Sequence, residues 1–157
     1  MTRPEGAPLG AAGSTVTIMI ADDDPDDRLL IKEALEEAHF ECPIVFFTDG
    51  VDLLDYLHGR GEYAHRPKPL LPGLLFLDLN MPRMDGREAL QKIKQDPRLR
   101  RIPVVVLTTS SSEEDVFRVY DLGVNSFITK PANFDTLVKV MESIAGYWLG
   151  IVALPTE

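Results

Sequence analysis

The sequence predicts an α/β domain in which a parallel sheet of five strands is covered by helices. Three observations predict it. Short apolar runs alternate along the chain with segments whose apolar residues recur at helical spacing. Two of those runs, at residues 74–77 and 102–107, contain no charged or hydrogen-bonding side chain, as expected of strands buried on both faces. Each run then stops at a polar turn, and several of these turns carry a helix-capping residue. Such alternation implies parallel pairing with right-handed crossovers.

The elements follow in order. Residues 16–21, VTIMIA, are β-branched and apolar and end at Asp22-Asp23-Asp24-Pro25. Asp24 fits an N-cap and Pro25 the first helical position, and Leu30, Ile31, Ala34, Leu35 and Ala38 then repeat as a helix face. Residues 43–47 form a second strand, and Asp49-Gly50 opens a helix through Val51, Leu54 and Leu57. From 59 to 72 the sequence GRGEYAHRPKPLLP has no period and is long for a loop. Leu74-Leu75-Phe76-Leu77 is the central strand and leads into Asp78, Leu79, Asn80, Met81 and Pro82. A carboxylate within that apolar run would be costly, so Asp78 is expected at the strand's carboxyl end, facing solvent, where open α/β sheets hold ligands. Asp85 with Glu88 three residues on caps the next helix, whose face is Ala89, Leu90 and Ile93 and whose end lies near Asp96-Pro97. The strand at 102–108 closes with Thr108-Thr109-Ser110, and Ser111 or Ser112 caps a helix with an inner face of Val116, Val119 and Tyr120. A short strand at 126–129 ends at Lys130-Pro131. Asn133 caps the last helix, which carries Phe134, Leu137, Val138, Met141, Ile144 and Trp148.

Composition narrows the function classes. At 157 residues and 45% hydrophobic the chain suits one domain with a substantial core. The expected division is a tail at 1–14, a domain at 15–149 and a short tail at 150–157. No run approaches the roughly 20 apolar residues of a membrane span. The first fourteen residues lack the apolar core of a secretory signal. A single cysteine, Cys42, excludes an internal disulfide and fits a reducing cytoplasm. A net charge of −9 argues against a nucleic-acid partner, which wants a basic face.

Each strand of this plan except the second ends in a residue able to do chemistry. These are Asp22 and Asp23, then Asp78, then Thr108, then Lys130, and in a parallel sheet they share one edge. Three converging carboxylates repel one another and need a cation, and hard oxygen ligands favour Mg²⁺. The set fits a phosphoryl acceptor: Asp78 attacks, Mg²⁺ and Lys130 neutralise the phosphoryl oxygens, and Thr108 donates a hydrogen bond. At these residues the chain resembles the response-regulator receiver domain, through IADDDP, LDLNMPRMDG, VLTTS and FITKP. The resemblance implies a flavodoxin-like sheet of strand order 2-1-3-4-5. It further implies Asp78 as phosphoacceptor, Asp23 as a direct metal ligand, Asp22 as a ligand through water and Asn80 as a carbonyl ligand. It makes Thr108 the switch hydroxyl, Phe127 the switch aromatic and Lys130 the phosphoryl contact, with a cis peptide before Pro131. Thr109 departs from the usual pattern, in which a smaller residue is frequent, and would narrow access to the phosphoryl group.

A narrower resemblance, to stand-alone receivers paired with bacterial or cyanobacterial phytochrome histidine kinases, rests on GRGEYAHRPKP, DGREALQKIKQDPRLRRIPVVVLTTS and GYWLGIVALP. It implies a kinase partner and a signalling protein that catalyses only its own phosphorylation and dephosphorylation. The rival is a Mg²⁺-dependent phosphatase of the haloacid dehalogenase type. That family wants an acid two residues after its nucleophile, where Asn80 stands. With only GIVALPTE after the last helix, the expected output is a change in binding. A homodimer through the fourth helix, fifth strand and fifth helix would cover Phe117, Phe127, Tyr147, Trp148, Leu149 and Ile151. Asp24, Asp26 and Asp27 are expected to be helix N-terminal acids outside the site, His39 and Cys42 a surface histidine and a buried thiol, and His58 and His65 solvated.

Overall fold

The computed structural model describes residues 16–109 and 113–151, without the side chains of residues 113, 114, 117, 150 and 151. The strands are β1 (Ile18–Ala21), β2 (Ile44–Phe47), β3 (Leu74–Leu77), β4 (Val104–Thr108) and β5 (Ser126–Thr129). The helices are α1 (Pro25–Glu37), α2 (Gly50–His58), α3 (Gly86–Gln95), α4 (Glu113–Asp121) and α5 (Phe134–Gly146). All four strand pairings are parallel, in the order β2-β1-β3-β4-β5. This is the doubly wound, flavodoxin-like arrangement that the alternating pattern and the resemblance imply.

Period-two alternation divides the core between the two sheet faces. Met19, Ala21, Leu75, Leu77, Val104 and Val106 pack with Leu53, Leu54 and Leu57 of α2, Leu90 and Ile93 of α3 and Val119 of α4. Ile18, Ile20, Leu74, Phe76, Val105 and Leu107 pack with Ile31, Ala34 and Leu35 of α1 and Leu137, Met141 and Ala145 of α5. Helix starts follow the expected caps, because each acid or amide accepts an otherwise unpaired backbone N–H. Asp24 accepts from Asp26, Asp49 from Asp52, Asp85 from Glu88 and Asn133 from Thr136. The predicted caps Ser111 and Ser112 lie outside the described residues.

Two local expectations are corrected, and a third region gains detail. Tyr120 is 49% exposed, and its hydroxyl instead accepts the Phe127 N–H at 3.2 Å. Leu149 is fully buried, because the chain continues past α5 as a wide π-helical turn over Tyr147–Ile151 that carries it back onto the α1–α5 core. The aperiodic stretch at 59–72 is tied down at several points. It holds a short 3₁₀ turn at Gly61–Tyr63, and the Tyr63 hydroxyl donates to Asp52 at 2.8 Å. Arg98 donates to the carbonyls of Leu57 and Pro69 at 3.0 and 2.5 Å, binding its two ends together.

Candidate functional site

Strand register assembles the site. Ala21 pairs with Leu77, so Asp22 and Asp78 leave adjacent strands at the same level. Ladder bonds run one step beyond the strands: Asp22 N–H to the Phe47 carbonyl, Asp78 N–H to Ala21 and Lys130 N–H to Thr108, at 2.8–3.0 Å. The sheet edge is thus held by backbone bonds up to the residues that carry the chemistry.

Asp78 sits among donors. Thr108 Oγ1 donates to its Oδ1 at 2.8 Å, Asn80 N–H to the same oxygen at 3.2 Å, and Lys130 Nζ to its Oδ2 at 3.1 Å. Asp78 is 6% exposed and Asp22 1%, so the acceptor turn is more enclosed than the expected solvent-facing aspartate. The enclosure comes from the start of α3. A Cβ on Gly86 would lie 2.0 Å from the Asp78 carbonyl oxygen, and the Gly86 N–H bonds the Leu79 carbonyl at 2.9 Å. The backbone approach behind Asp78 therefore needs glycine.

Two ion pairs brace the same turn. Arg83, at a left-handed φ of 62°, donates from Nε and Nη2 to Asp49 at 2.8 and 3.1 Å, and the Gly50 N–H bonds the Met84 carbonyl at 2.9 Å. Arg87 donates to both oxygens of Asp115 on α4, at 2.7 and 2.6 Å, and lies 3.4 Å from the Leu79 carbonyl. Nothing in the sequence pattern pointed to either pair, because the partners stand 34 and 28 residues apart.

Asp22, Asp23 and Asp78 each offer an oxygen within 4.8 Å of the others. Facing them is one ammonium, on Lys130, which donates to Asp22 at 2.7 Å, Asp27 at 2.8 Å and Asp78 at 3.1 Å. Burial pushes the Asp22 carboxyl up, outweighing the bonds from Lys130 and the Asp24 N–H that favour its charge. Burial works against the Lys130 ammonium too, yet the bonds to Asp22 and Asp27 win and hold its pKa above the ordinary lysine value. One cation shared among three acids leaves a deficit of positive charge. The donor set, all hard oxygen, fits a divalent cation.

Other expectations resolve at the same edge. Asp27 joins the site through Lys130, although a first-turn acid suggested only helix-dipole stabilisation. No cis peptide occurs among the described residues, so the bond before Pro131 is trans, and the Lys130 side chain reaches all three carboxylates from that backbone. Thr109 is exposed. Phe127 is half-buried against the α2–α3–α4 core, Trp148 half-buried against the α1–α5 core, and Tyr147 51% exposed. The side chain of Phe117 lies outside the described residues. His39 and His65 are exposed and Cys42 is half-buried, with burial pushing its thiol up to about 11.

Comparison with known proteins shows the family. The model of the response regulator receiver domain family matches residues 18–142. Response regulator Rcp1 of Synechocystis sp. is 42% identical over 138 residues, 88% of this chain and 92% of that protein. The solved Mn²⁺-bound form of response regulator Rcp1 superposes with a TM-score of 0.80 at 41% identity, covering 90% of this chain and 99% of that one. A phosphorylated cyanobacterial phytochrome response regulator, RcpA, superposes with a TM-score of 0.82 at 43% identity, covering 91% and 100%. The probable methanogenesis regulatory protein FilR2 of Methanothrix harundinacea is also 42% identical, over 85% of this chain and 83% of that protein. The chain belongs to the response regulator receiver domain family, and the haloacid dehalogenase reading is not supported.

Proposed function

We propose that this receiver accepts a phosphoryl group from a histidine kinase onto Asp78, in a Mg²⁺-dependent reaction. The observation that carries this reading is the Asp78 carboxylate at the end of β3, bonded by Thr108 and Lys130 with Asp22 and Asp23 beside it. One Asp78 oxygen forms a bond to phosphorus as the bond from phosphorus to the kinase histidine nitrogen breaks, and the imidazole leaves. Thr108 and Lys130, already aimed at that carboxylate, then donate to the new phosphoryl oxygens. Asp23, Asp78 and the Asn80 carbonyl, with Asp22 through water, would hold Mg²⁺, which would supply charge neutralisation for those oxygens. Acetyl phosphate or a kinase with labelled ATP should label the wild type in Mg²⁺ and leave Asp78→Asn unlabelled. Strong labelling of the variant would overturn the assignment. Multiple turnover of a generic phosphate ester would show an enzyme where this reading expects a signalling protein.

A phytochrome-type kinase is the partner class we favour, supported by the identity to RcpA and Rcp1 across nearly the whole chain. FilR2, at similar identity, is named a probable methanogenesis regulatory protein, so the kinase assay should include a phytochrome and an unrelated kinase. We also infer self-association through α4, β5 and α5. What supports it is narrower than the sequence suggested: β5 is an open sheet edge with the exposed Tyr120 beside it, while Leu149 is buried. Sedimentation at micromolar concentration should show a dimer, with and without beryllofluoride, that weakens in Tyr120→Glu. A monomer in both states would refute it.

A further inference from the structure

An ammonium has three N–H groups, and in Lys130 all three are used. Their acceptors are Asp22 Oδ2 at 2.7 Å, Asp27 Oδ2 at 2.8 Å and Asp78 Oδ2 at 3.1 Å. Two of these carboxylates also belong to the group of oxygens that would hold a cation, and one of the two would carry the phosphoryl group. Asp22 and Asp78 must therefore change partners when the site is charged. Asp27 lies outside the cation group, in the first turn of a 13-residue helix, and has no competing demand among the described contacts. The Lys130 side chain is 13% exposed, but its surroundings leave it one way to turn. The residue follows the half-buried edge strand β5, and a cleft of ≈ 50 Å³ bordered by Asp27, Leu30, Pro131 and Leu137 lies beside its side chain.

Resting on the assignment of Asp78 as acceptor, we propose that Asp27 is a positioning residue that holds the Lys130 ammonium beside Asp78 while Asp22 and Asp78 change partners. One N–H stays on Asp27 and two are released to the phosphoryl oxygens. Without Asp27 the lysine has a cleft to turn into and no acceptor that is constant across the two states.

The test follows beryllofluoride, a phosphoryl mimic, in saturating Mg²⁺ with protein carrying ¹⁵N-labelled lysine. In the wild type the Lys130 ammonium resonance should be sharp and protected from exchange. Asp27→Ala should broaden it away and weaken beryllofluoride binding about tenfold, the size of one charge-assisted hydrogen bond lost at a partly exposed site. Asp27→Asn keeps an acceptor in place and should restore the resonance and bring binding within about threefold of the wild type. Thermal midpoints check that both variants remain folded. A resonance and affinity in Asp27→Ala that match the wild type, or Asp27→Asn behaving like Asp27→Ala, overturns the proposal. Failure of the Asp78 assignment reads differently: the wild type would then bind beryllofluoride no better than Asp78→Asn.

Discussion

Strands β1, β3 and β4 are buried along their whole length, whereas β5 is half-buried and ends exposed. Both kinds of strand deliver a residue to the same few ångströms. Asp22, Asp78 and Thr108 leave the buried strands and are located by packing on both sheet faces and by ladder bonds on either side. Lys130 leaves the edge strand, which has a neighbour on one side only, and its ammonium is held by the three acids it bonds. The acceptor is thus held by the fold and its counter-ion by electrostatics. A signalling site needs that difference: an acceptor of constant geometry, and surroundings that can change partners when it is charged.

The largest break in the comparison should come behind the acceptor. Gly86→Ala puts a methyl group 2.0 Å from the Asp78 carbonyl oxygen, backbone against backbone, so no side chain can turn aside to relieve it. Overpacking of this kind costs about 3 kcal/mol. Urea denaturation should show it as a lower midpoint, and beryllofluoride binding should fall with it. Gly123 lies at the left-handed φ of 91°, as Gly86 does not, but has only Lys94 side-chain carbons 3.8 Å away. Gly123→Ala should therefore cost backbone strain and leave the phosphoryl site intact. Equal loss of beryllofluoride binding in both variants would remove the special role of the acceptor turn.

A smaller effect comes from the Asp49–Arg83 brace. Asp49 caps α2 through the Asp52 N–H at 2.8 Å and takes both bonds from Arg83. Burial alone would raise its pKa, but the Arg83 guanidinium and the Asp52 N–H together hold it below the ordinary carboxylate value. A carboxyl lowered in the folded state contributes stability above its unfolded pKa and loses it as pH falls through the folded one. Asp49→Ala should cost about 1–2 kcal/mol at pH 7, chiefly as a lost cap, with the cost shrinking below about pH 4. Asp22 has the opposite sign. Its carboxyl is raised by burial, so its contribution is fully present below its unfolded pKa and fades as pH rises through the folded one. A cost of Asp49→Ala that does not change between pH 7 and pH 3 would mean the ion pair adds nothing beyond the cap's shape.

The buried half of the molecule was also the half that could be read from its sequence. LLFL and IPVVVL announced central strands because nothing but two-sided burial accounts for such runs, and Asp24, Asp49, Asp85 and Asn133 announced helix starts because capping is local. Contacts that join distant elements left no such sign. Asp27 looks like any first-turn acid until β5 brings Lys130 to it, 103 residues away. Tyr120 fell one residue beyond Val119, at the rim of the helix face, where the choice between core and surface rests on a hydroxyl partner no pattern reveals. Leu149 looked like an exposed tail because a straight α-helical count does not foresee the π-helical turn that carries it inward.

The smallest expected effect sharpens the comparison, because it joins the two regions. Thr108 is fully buried and ends a central strand, while its register partner Thr129 lies on the edge strand, two residues after Phe127. The Thr108 hydroxyl now donates to Asp78, and Phe127 is half-buried, with its N–H on the Tyr120 hydroxyl. The expected inward swing of Thr108 is already made, since its hydroxyl lies on Asp78; we infer that this hydroxyl passes to a phosphoryl oxygen and that the exchange biases the position of the Phe127 ring. Phe127 has no hydroxyl to lock the inward position, so the gain is packing alone and the shift in population is modest. Beryllofluoride should displace the Phe127 ring resonances in the wild type and much less in Thr108→Ala, where one hydrogen bond worth about 1 kcal/mol is missing. The same variant should still bind beryllofluoride, because Lys130 and the Asn80 N–H remain on Asp78. Identical Phe127 displacements in the two proteins, at equal saturation, would place the link between acceptor and edge strand elsewhere, with the Arg87–Asp115 pair to α4 the next contact to break.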